Sequence, residues 1–233
     1  MHFFYIPDID LDQPVLPEEE AKHAMKVLRM GIGSKLRITN GKGLMLNAEI
    51  SETTSKSCKL TIIDSEQVPK PSPERWLAVA PTKNADRLEW LVEKATELGV
   101  TGIVPILCER SERKVQKTDR LEKIAIAALK QSQQAWLPQI PEPIVFQKFL
   151  DQGFKGNGYI AHCIEGHKRK LAQLYSFGES ATVFIGPEGD FTPEEVKAAL
   201  AKDCHPVSLG TNRLRTETAA LFALTVLVTI DQI

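Results

Sequence analysis

Two short segments near the carboxyl end of this 233-residue chain combine glycine with charged side chains. Glycine lets backbone groups approach a ligand closely, and fixed charges orient it. The first segment is Ile185-Gly186-Pro187-Glu188-Gly189-Asp190-Phe191. It follows an apolar run and precedes Thr192-Pro193-Glu194-Glu195, a capping box with proline at the first helical position. The second runs Ser208-Leu209-Gly210-Thr211-Asn212-Arg213-Leu214-Arg215-Thr216-Glu217-Thr218-Ala219 and enters an apolar helix, with Thr216 expected at the N-cap. Arginines at a helix start suit an anion or a phosphate. The structural alternative is a salt bridge from Arg215 to Glu217 or Glu188. Each segment alone also reads as a plain strand-to-helix turn. Two such turns, both leaving strands, favour a ligand site, because open parallel sheets bind ligands beyond the carboxyl ends of their strands.

Other chemistries lack their residues. There is no GxGxxG and no GxxxxGK[ST], which disfavours a dinucleotide fold of that type and a P-loop. Cys58, Cys108, Cys163 and Cys204 are widely spaced, and with the histidines they make no zinc pattern, so reduced thiols and no metal are expected. His162 and His167 are assigned no role. The net charge of -1 carries no global nucleic-acid signature, so any such binding must rest on local patches. The start, MHFFYIPDIDLD, lacks a basic-then-apolar signal pattern, and the apolar stretch 219–230 is too short to span a bilayer. A cytoplasmic protein without membrane attachment is the expectation.

The surrounding elements divide at Val68-Pro69-Lys70-Pro71-Ser72-Pro73, whose prolines suit an extended linker. Before it, strands are expected over 2–6 and 35–39. Pro17 with Glu18, Glu19 and Glu20 opens a helix. Alternation at Leu44, Leu46, Ala48 and Ile50, and at Cys58, Leu60 and Ile62, places each set on one sheet face. A small β-barrel fits this pattern. After the linker, strands over 76–80, 103–107, 159–163, 182–185 and 206–209 alternate with helical stripes. One stripe is Leu88, Leu91, Val92, Ala95 and Leu98, closed by Gly99; another is Leu121, Ile124, Ala125 and Ala128. This alternation predicts an α/β fold with a mostly parallel sheet and helices on both faces.

Gly186-Pro187-Glu188-Gly189, then Leu209-Gly210 and Leu214-Arg215-Thr216-Glu217-Thr218-Ala219, resembles the closing signature of the RsmE-type methyltransferases. These belong to the knotted SPOUT class and make N3-methyluridine in 16S ribosomal RNA. Lys83, Arg87 and Glu89, the run Lys94-Ala95-Thr96-Glu97-Leu98-Gly99-Val100, and Glu109-Arg110-Ser111 are similar to that family's earlier segments. His23, Val27-Leu28-Arg29-Met30 and Gly31 to Gly33 resemble its PUA-like RNA-binding domain. One segment departs: Lys130-Gln131-Ser132-Gln133-Gln134 stands where the family pattern reads Glu-Gln-Ser-Gly-Arg.

The resemblance implies a PUA-like barrel over 1–68, a linker over 69–73 and a trefoil-knotted domain over 74–233. It implies S-adenosyl-L-methionine as cofactor, held by Ile185, Gly186, Glu188, Gly189, Leu209, Gly210, Asn212, Leu214 and Thr216, with the chain near Cys163 to Glu165 alongside. It implies 16S ribosomal RNA as substrate and a homodimer. Arg215 is then the candidate for stabilising the uridine as its N3 proton leaves, and Glu217 for orienting that arginine or relaying the proton. RNA contacts fall to Lys22, Lys26 and Arg29 in the first part and to Lys83, Arg87 and Arg110 in the second. Lys35 and Arg37, and Arg113, Lys114, Lys117 and Arg120, extend the two basic clusters. Ribose 2′-O-methylation and a non-catalytic RNA-binding protein are the alternatives.

Overall fold

The computed structural model describes residues 1–54, 56–113 and 117–232, so Lys114 of the second basic cluster lies outside the described residues. The chain forms two compact units. The first comprises Met1–Lys70 together with Leu129–Leu137, and the second Pro71–Ala128 and Pro138–Ile233.

In the first unit, β1 (His2–Tyr5), β2 (Val15–Leu16), β3 (Lys35–Thr39), β4 (Leu44–Thr53) and β5 (Cys58–Gln67) make one five-stranded sheet in the order β1-β3-β4-β5-β2. All its pairings are antiparallel except β1 with β3. Its ladder has β1 and β2 as edges, so hydrogen bonding wraps only part of the way around the core. Pro17 stands before α1 (Glu18–Lys22), which continues as a π-helical turn over His23–Val27. Ala21 and Ala24 from this segment pack with Phe4, Leu36, Ile38, Leu46, Ala48, Ile50 and Leu60. The alternating residues of the sequence therefore do share one buried face.

Residues 129–137 complete this unit. The Thr39 hydroxyl donates to the Ala135 carbonyl at 3.2 Å, and the Trp136 indole to the Val68 carbonyl at 3.1 Å. Lys130 pairs with Glu20 at 2.7 Å and lies 5.7 Å from the centre of the Phe4 ring. The lysine that departs from the family pattern is thus engaged in packing.

The second unit is built on β6 (Arg75–Val79), β7 (Gly102–Leu107), β8 (Ile144–Val145), β9 (Asn157–Ala161), β10 (Arg169–Lys170), β11 (Ala181–Ile185) and β12 (His205–Ser208). The order across the sheet is β10-β12-β9-β11-β6-β7-β8, and every pairing is parallel. The helices are α2 (Ala85–Glu97), α3 (Thr118–Ser132, of which residues 129–132 belong to the first unit), α4 (Phe146–Gln152), α5 (Leu171–Leu174), α6 (Pro193–Leu200) and α7 (Thr216–Ile230). Their placement explains why the strands are apolar on both faces. Trp76, Ala78, Val104, Ile106, Ile160 and Phe184 join Phe146 and Leu150 of α4 and Val196 and Ala199 of α6 in one core. The opposite face lies under α7, which contacts β6, β11, α2 and α5.

Two residues of α7's carboxyl end and β6 are tied by charge. Asp231 accepts from Arg75 at 2.7 Å, from the Tyr175 hydroxyl at 2.7 Å and from the Gly178 amide at 3.0 Å. Burial alone would push the Asp231 carboxyl up. The Gly178 amide, the Tyr175 hydroxyl and Arg75 together outweigh it and hold the group below its ordinary value.

Candidate functional site

Parallel strands end on the same edge of their sheet, so β9, β11 and β12 release their following loops side by side. The strand order puts β9 between the other two. The loops enclose a cleft of about 980 Å³, large enough for a drug-sized ligand. Its wall combines residues 161–164, residues 185–188 with Asp190, and residues 207–216, together with Arg87, Lys168 and Ala219.

Local chemistry shapes each wall. The Gly186 loop is anchored by Phe191, whose fully buried ring lies 5.1 Å from that of Phe146. A Cβ on Gly186 would stand 3.0 Å from the Phe191 ring, tighter than ordinary side-chain contacts, so glycine eases this approach. The Glu188 carboxylate accepts the Lys83 amide at 3.1 Å, and Arg110 donates to the Gly189 carbonyl at 3.0 Å. The capping box forms as expected, with Glu195 accepting both the Thr192 amide and the Glu109 amide. In the second loop Gly210 has φ +135°, a conformation open to glycine alone, and no protein atom lies within 4 Å of its missing Cβ. Backbone is therefore exposed to the cleft at that point.

The two loops are joined directly. Thr216 donates its hydroxyl to the Gly186 carbonyl at 3.1 Å. Thr216 was expected at the N-cap, but Arg215 occupies that position with extended backbone, and Thr216 is the first helical residue. Its hydroxyl is thereby free to bond the neighbouring loop rather than its own helix.

The third wall includes Cys163 and Ile164 from the expected segment and extends beyond it to Ala161, His162 and Lys168, without Glu165. A strand over 159–163 was expected, but β9 ends at Ala161. The Cys163 amide leaves the ladder to bond the Asp190 carboxylate at 2.7 Å, which turns His162, Cys163 and Ile164 into the cleft wall. Lys168 braces this turn by donating to the carbonyls of His162 and Ile164 at 2.8 and 2.6 Å. Burial and the Lys168 charge hold His162 below its ordinary value, which favours the neutral ring.

Of the residues singled out from sequence, Ile185, Gly186, Glu188, Leu209, Gly210, Asn212, Leu214, Arg215, Thr216 and Arg87 line the cleft. Gly189, Glu217, Lys83 and Arg110 do not. Lys83 pairs with Glu112 at 2.8 Å. Glu217 is buried, and its partner is Arg87, with 3.8 Å between Oε1 and Nε. Neither the expected orientation of Arg215 by Glu217 nor a bridge from Arg215 to Glu188 is present among the described residues. Lys22, Lys26 and Arg29 belong to the first unit, where all three are exposed and Lys22 pairs with Glu18 at 2.7 Å.

Residues 69–228 match the RNA methyltransferase domain family, and residues 16–63 match the RNA methyltransferase PUA domain. Ribosomal RNA small subunit methyltransferase E of Rickettsia conorii is 30% identical over 216 residues, covering 90% of this chain and 86% of that protein. The chain belongs to this RNA methyltransferase family. A crystal structure described as a "probable rRNA-methyltransferase" from Porphyromonas gingivalis is 41% identical, with a TM-score of 0.92 over 100% of this chain and 99% of that one. Ribosomal RNA small subunit methyltransferase E from Neisseria gonorrhoeae, bound to S-adenosyl methionine, is 28% identical, with a TM-score of 0.85 over 99% of this chain and 98% of that one.

In this methyltransferase the matched domain spans all seven parallel strands and therefore the whole cleft. The PUA match covers β3, β4 and most of β5 in the first unit. No helix among the described residues is long and apolar enough to cross a membrane. No cluster of metal-binding side chains occurs among them.

Proposed function

We propose that this chain methylates N3 of a specific uridine in small-subunit 16S ribosomal RNA, using S-adenosyl-L-methionine, and that it works in the cytoplasm as a homodimer. One observation carries the reading. Three loops from the carboxyl ends of neighbouring strands close into a single cleft, and Thr216 ties two of them together. The residues fit the donor. Ile185, Leu209 and Leu214 supply apolar surface, while Gly186, Gly210 and Asn212 bring backbone and amide groups close enough to fix the adenine and ribose. Gly189 supports the loop from outside the cleft. The names of the relatives and the bound ligand of the Neisseria structure support the same assignment.

When bound, S-adenosyl-L-methionine supplies a methyl group on a sulfonium. The chain's task is to present uridine N3 to it. Methylation replaces the N3 proton, which must leave to an acceptor, and negative charge develops on the uracil as it does. Arg215 is exposed at the cleft, makes no ion pair among the described residues, and is placed to stabilise that charge. The base leaves its stack to enter, at a cost of a few kcal/mol. Lys22, Lys26 and Arg29 in the PUA-matched unit, and Arg87 and the exposed Lys83 and Arg110 in the other, supply contacts to the RNA backbone.

The tail follows the threading of the SPOUT class on this reading. β12 lies outside β9 while α7 contacts β11 and β6, a path that supports such threading. Phe222, an apolar side chain 45% exposed on α7, suits burial against a second copy.

The test is a reconstitution. Ribosomal RNA from cells lacking this gene is incubated with the purified chain and labelled donor, then digested to nucleosides. N3-methyluridine at one position is expected. A 2′-O-methylated nucleoside would replace this reading with the ribose reaction, and absence of donor binding by calorimetry would replace it with an adaptor.

A further inference from the structure

Glu217 stands on the first turn of α7 with its side chain only 9% exposed, and its Oε2 has no hydrogen-bond partner among the described residues. A carboxylate withdrawn from water is costly unless a cation offsets it. That cation is Arg87, on the first turn of α2, whose Nε lies 3.8 Å from Oε1. Arg87 lines the cleft and Glu217 does not, so the carboxylate backs the arginine. Nε is the guanidinium nitrogen paired with Glu217. The Arg87 side chain makes no other ion pair and no hydrogen bond among the described residues, and it is 35% exposed. A guanidinium held at its Nε side still offers a fork of donors to an anion.

The cleft's remaining charges indicate which anion. Arg213 and Arg215 also line it. Its two carboxylates are engaged by backbone amides, Glu188 by that of Lys83 and Asp190 by that of Cys163. The methyl donor carries a sulfonium and an ammonium against one carboxylate, so it is itself cationic. A wall rich in arginine therefore suits a polyanion better than the donor.

We infer that Glu217 is a positioning residue for Arg87, holding its guanidinium at the cleft wall so that its free nitrogens clamp an RNA phosphate beside the target base. This rests on the RNA methyltransferase reading of the cleft. Arg215 then serves the reacting ring and Arg87 the backbone next to it.

The experiment compares Glu217→Gln, Arg87→Met, Arg87→Lys and the Glu217→Gln/Arg87→Met double variant in the full chain. RNA affinity is measured against salt by filter binding with a 16S ribosomal RNA fragment, and donor affinity by calorimetry. Loss of one phosphate contact should reduce the magnitude of the log–log salt slope by about 0.7 for single-stranded RNA. Glu217→Gln and Arg87→Met should each weaken RNA binding by about tenfold, and the double variant no further. KM for RNA should rise while KM for the donor stays unchanged, and Arg87→Lys should keep the salt slope while losing part of the affinity. Circular dichroism checks that each variant is folded. An unchanged salt slope in Arg87→Met, additive losses in the double variant, or weakened donor binding with intact RNA binding would each overturn the inference. A wild-type chain that binds neither donor nor RNA would instead overturn the underlying reading.

Discussion

Thr216 and Gly186 are joined by a hydrogen bond of 3.1 Å that couples the loop after β12 to the loop after β11. Thr216 is 5% exposed, so its hydroxyl has little access to water in exchange. Thr216→Val keeps the shape and deletes the donor, leaving a carbonyl without its partner. Urea unfolding should show a loss of about 1–2 kcal/mol. Calorimetry should show weaker donor binding, because the two walls are no longer held together. Unchanged donor affinity in a folded Thr216→Val protein would show that the bond does not shape the cleft.

Gly186→Ala tests the approach of that same loop to the core. The new Cβ would meet the Phe191 ring at 3.0 Å and its amide nitrogen at 3.2 Å. The ring is fully buried beside Phe146, so any shift must be taken up by the surrounding core. Overpacking of this kind costs about 1–3 kcal/mol. A lowered urea midpoint and a weakened donor affinity are expected together.

Arg215→Ala separates binding from reaction. Donor affinity by calorimetry should hold, because the loops keep their backbone contacts. Single-turnover methyl transfer should fall by about a hundredfold, the scale of losing one stabiliser of developing charge. Full activity in this variant would remove Arg215 from the mechanism.

Asp231 makes the second unit sensitive to acid. Its folded carboxyl titrates below the ordinary value of 3.8, so the unfolded state binds the proton first. The stability it contributes is complete above that ordinary value and is lost as pH falls through the depressed folded value. Denaturant unfolding should therefore give a plateau above about pH 5 and a decline below about pH 4. Asp231→Asn leaves Arg75, 16% exposed, without its charge partner. A loss of about 3 kcal/mol at pH 7 and a flatter acid limb are expected.

Gln133 offers a stabilising change. It follows α3 with φ +54°, a left-handed conformation that costs a side-chain-bearing residue about 1–2 kcal/mol. Gln133→Gly removes that strain but adds freedom to the unfolded chain. A net gain of about 0.5–1 kcal/mol in urea unfolding is expected. A loss would mean that the Gln133 side chain makes a contribution larger than its strain.

Much of this architecture is local and was legible in the residues. The strand over 35–39, the capping box at Thr192, the stop at Gly99 and the apolar stripe of α2 all follow from periodicity and end chemistry within a few residues. The two glycine-bearing turns were identifiable for the same reason, since each lies between a strand pattern and a helix pattern.

Strand order is a different kind of information. Alternation records which face a side chain takes, not which strand lies next door. Only the folded sheet puts β9 between β12 and β11, where the Cys163 amide leaves the ladder for Asp190 and His162 and Lys168 come to the cleft. The pairing of Glu217 with Arg87 likewise depends on α7 packing across α2. The sequence by itself determined the longer elements and the residue types at their ends, and left short ones such as β8, α4 and α5 unread. The tertiary structure decided which ends meet, because contacts between distant segments are set by how buried faces stack, and no spacing along the chain encodes that choice.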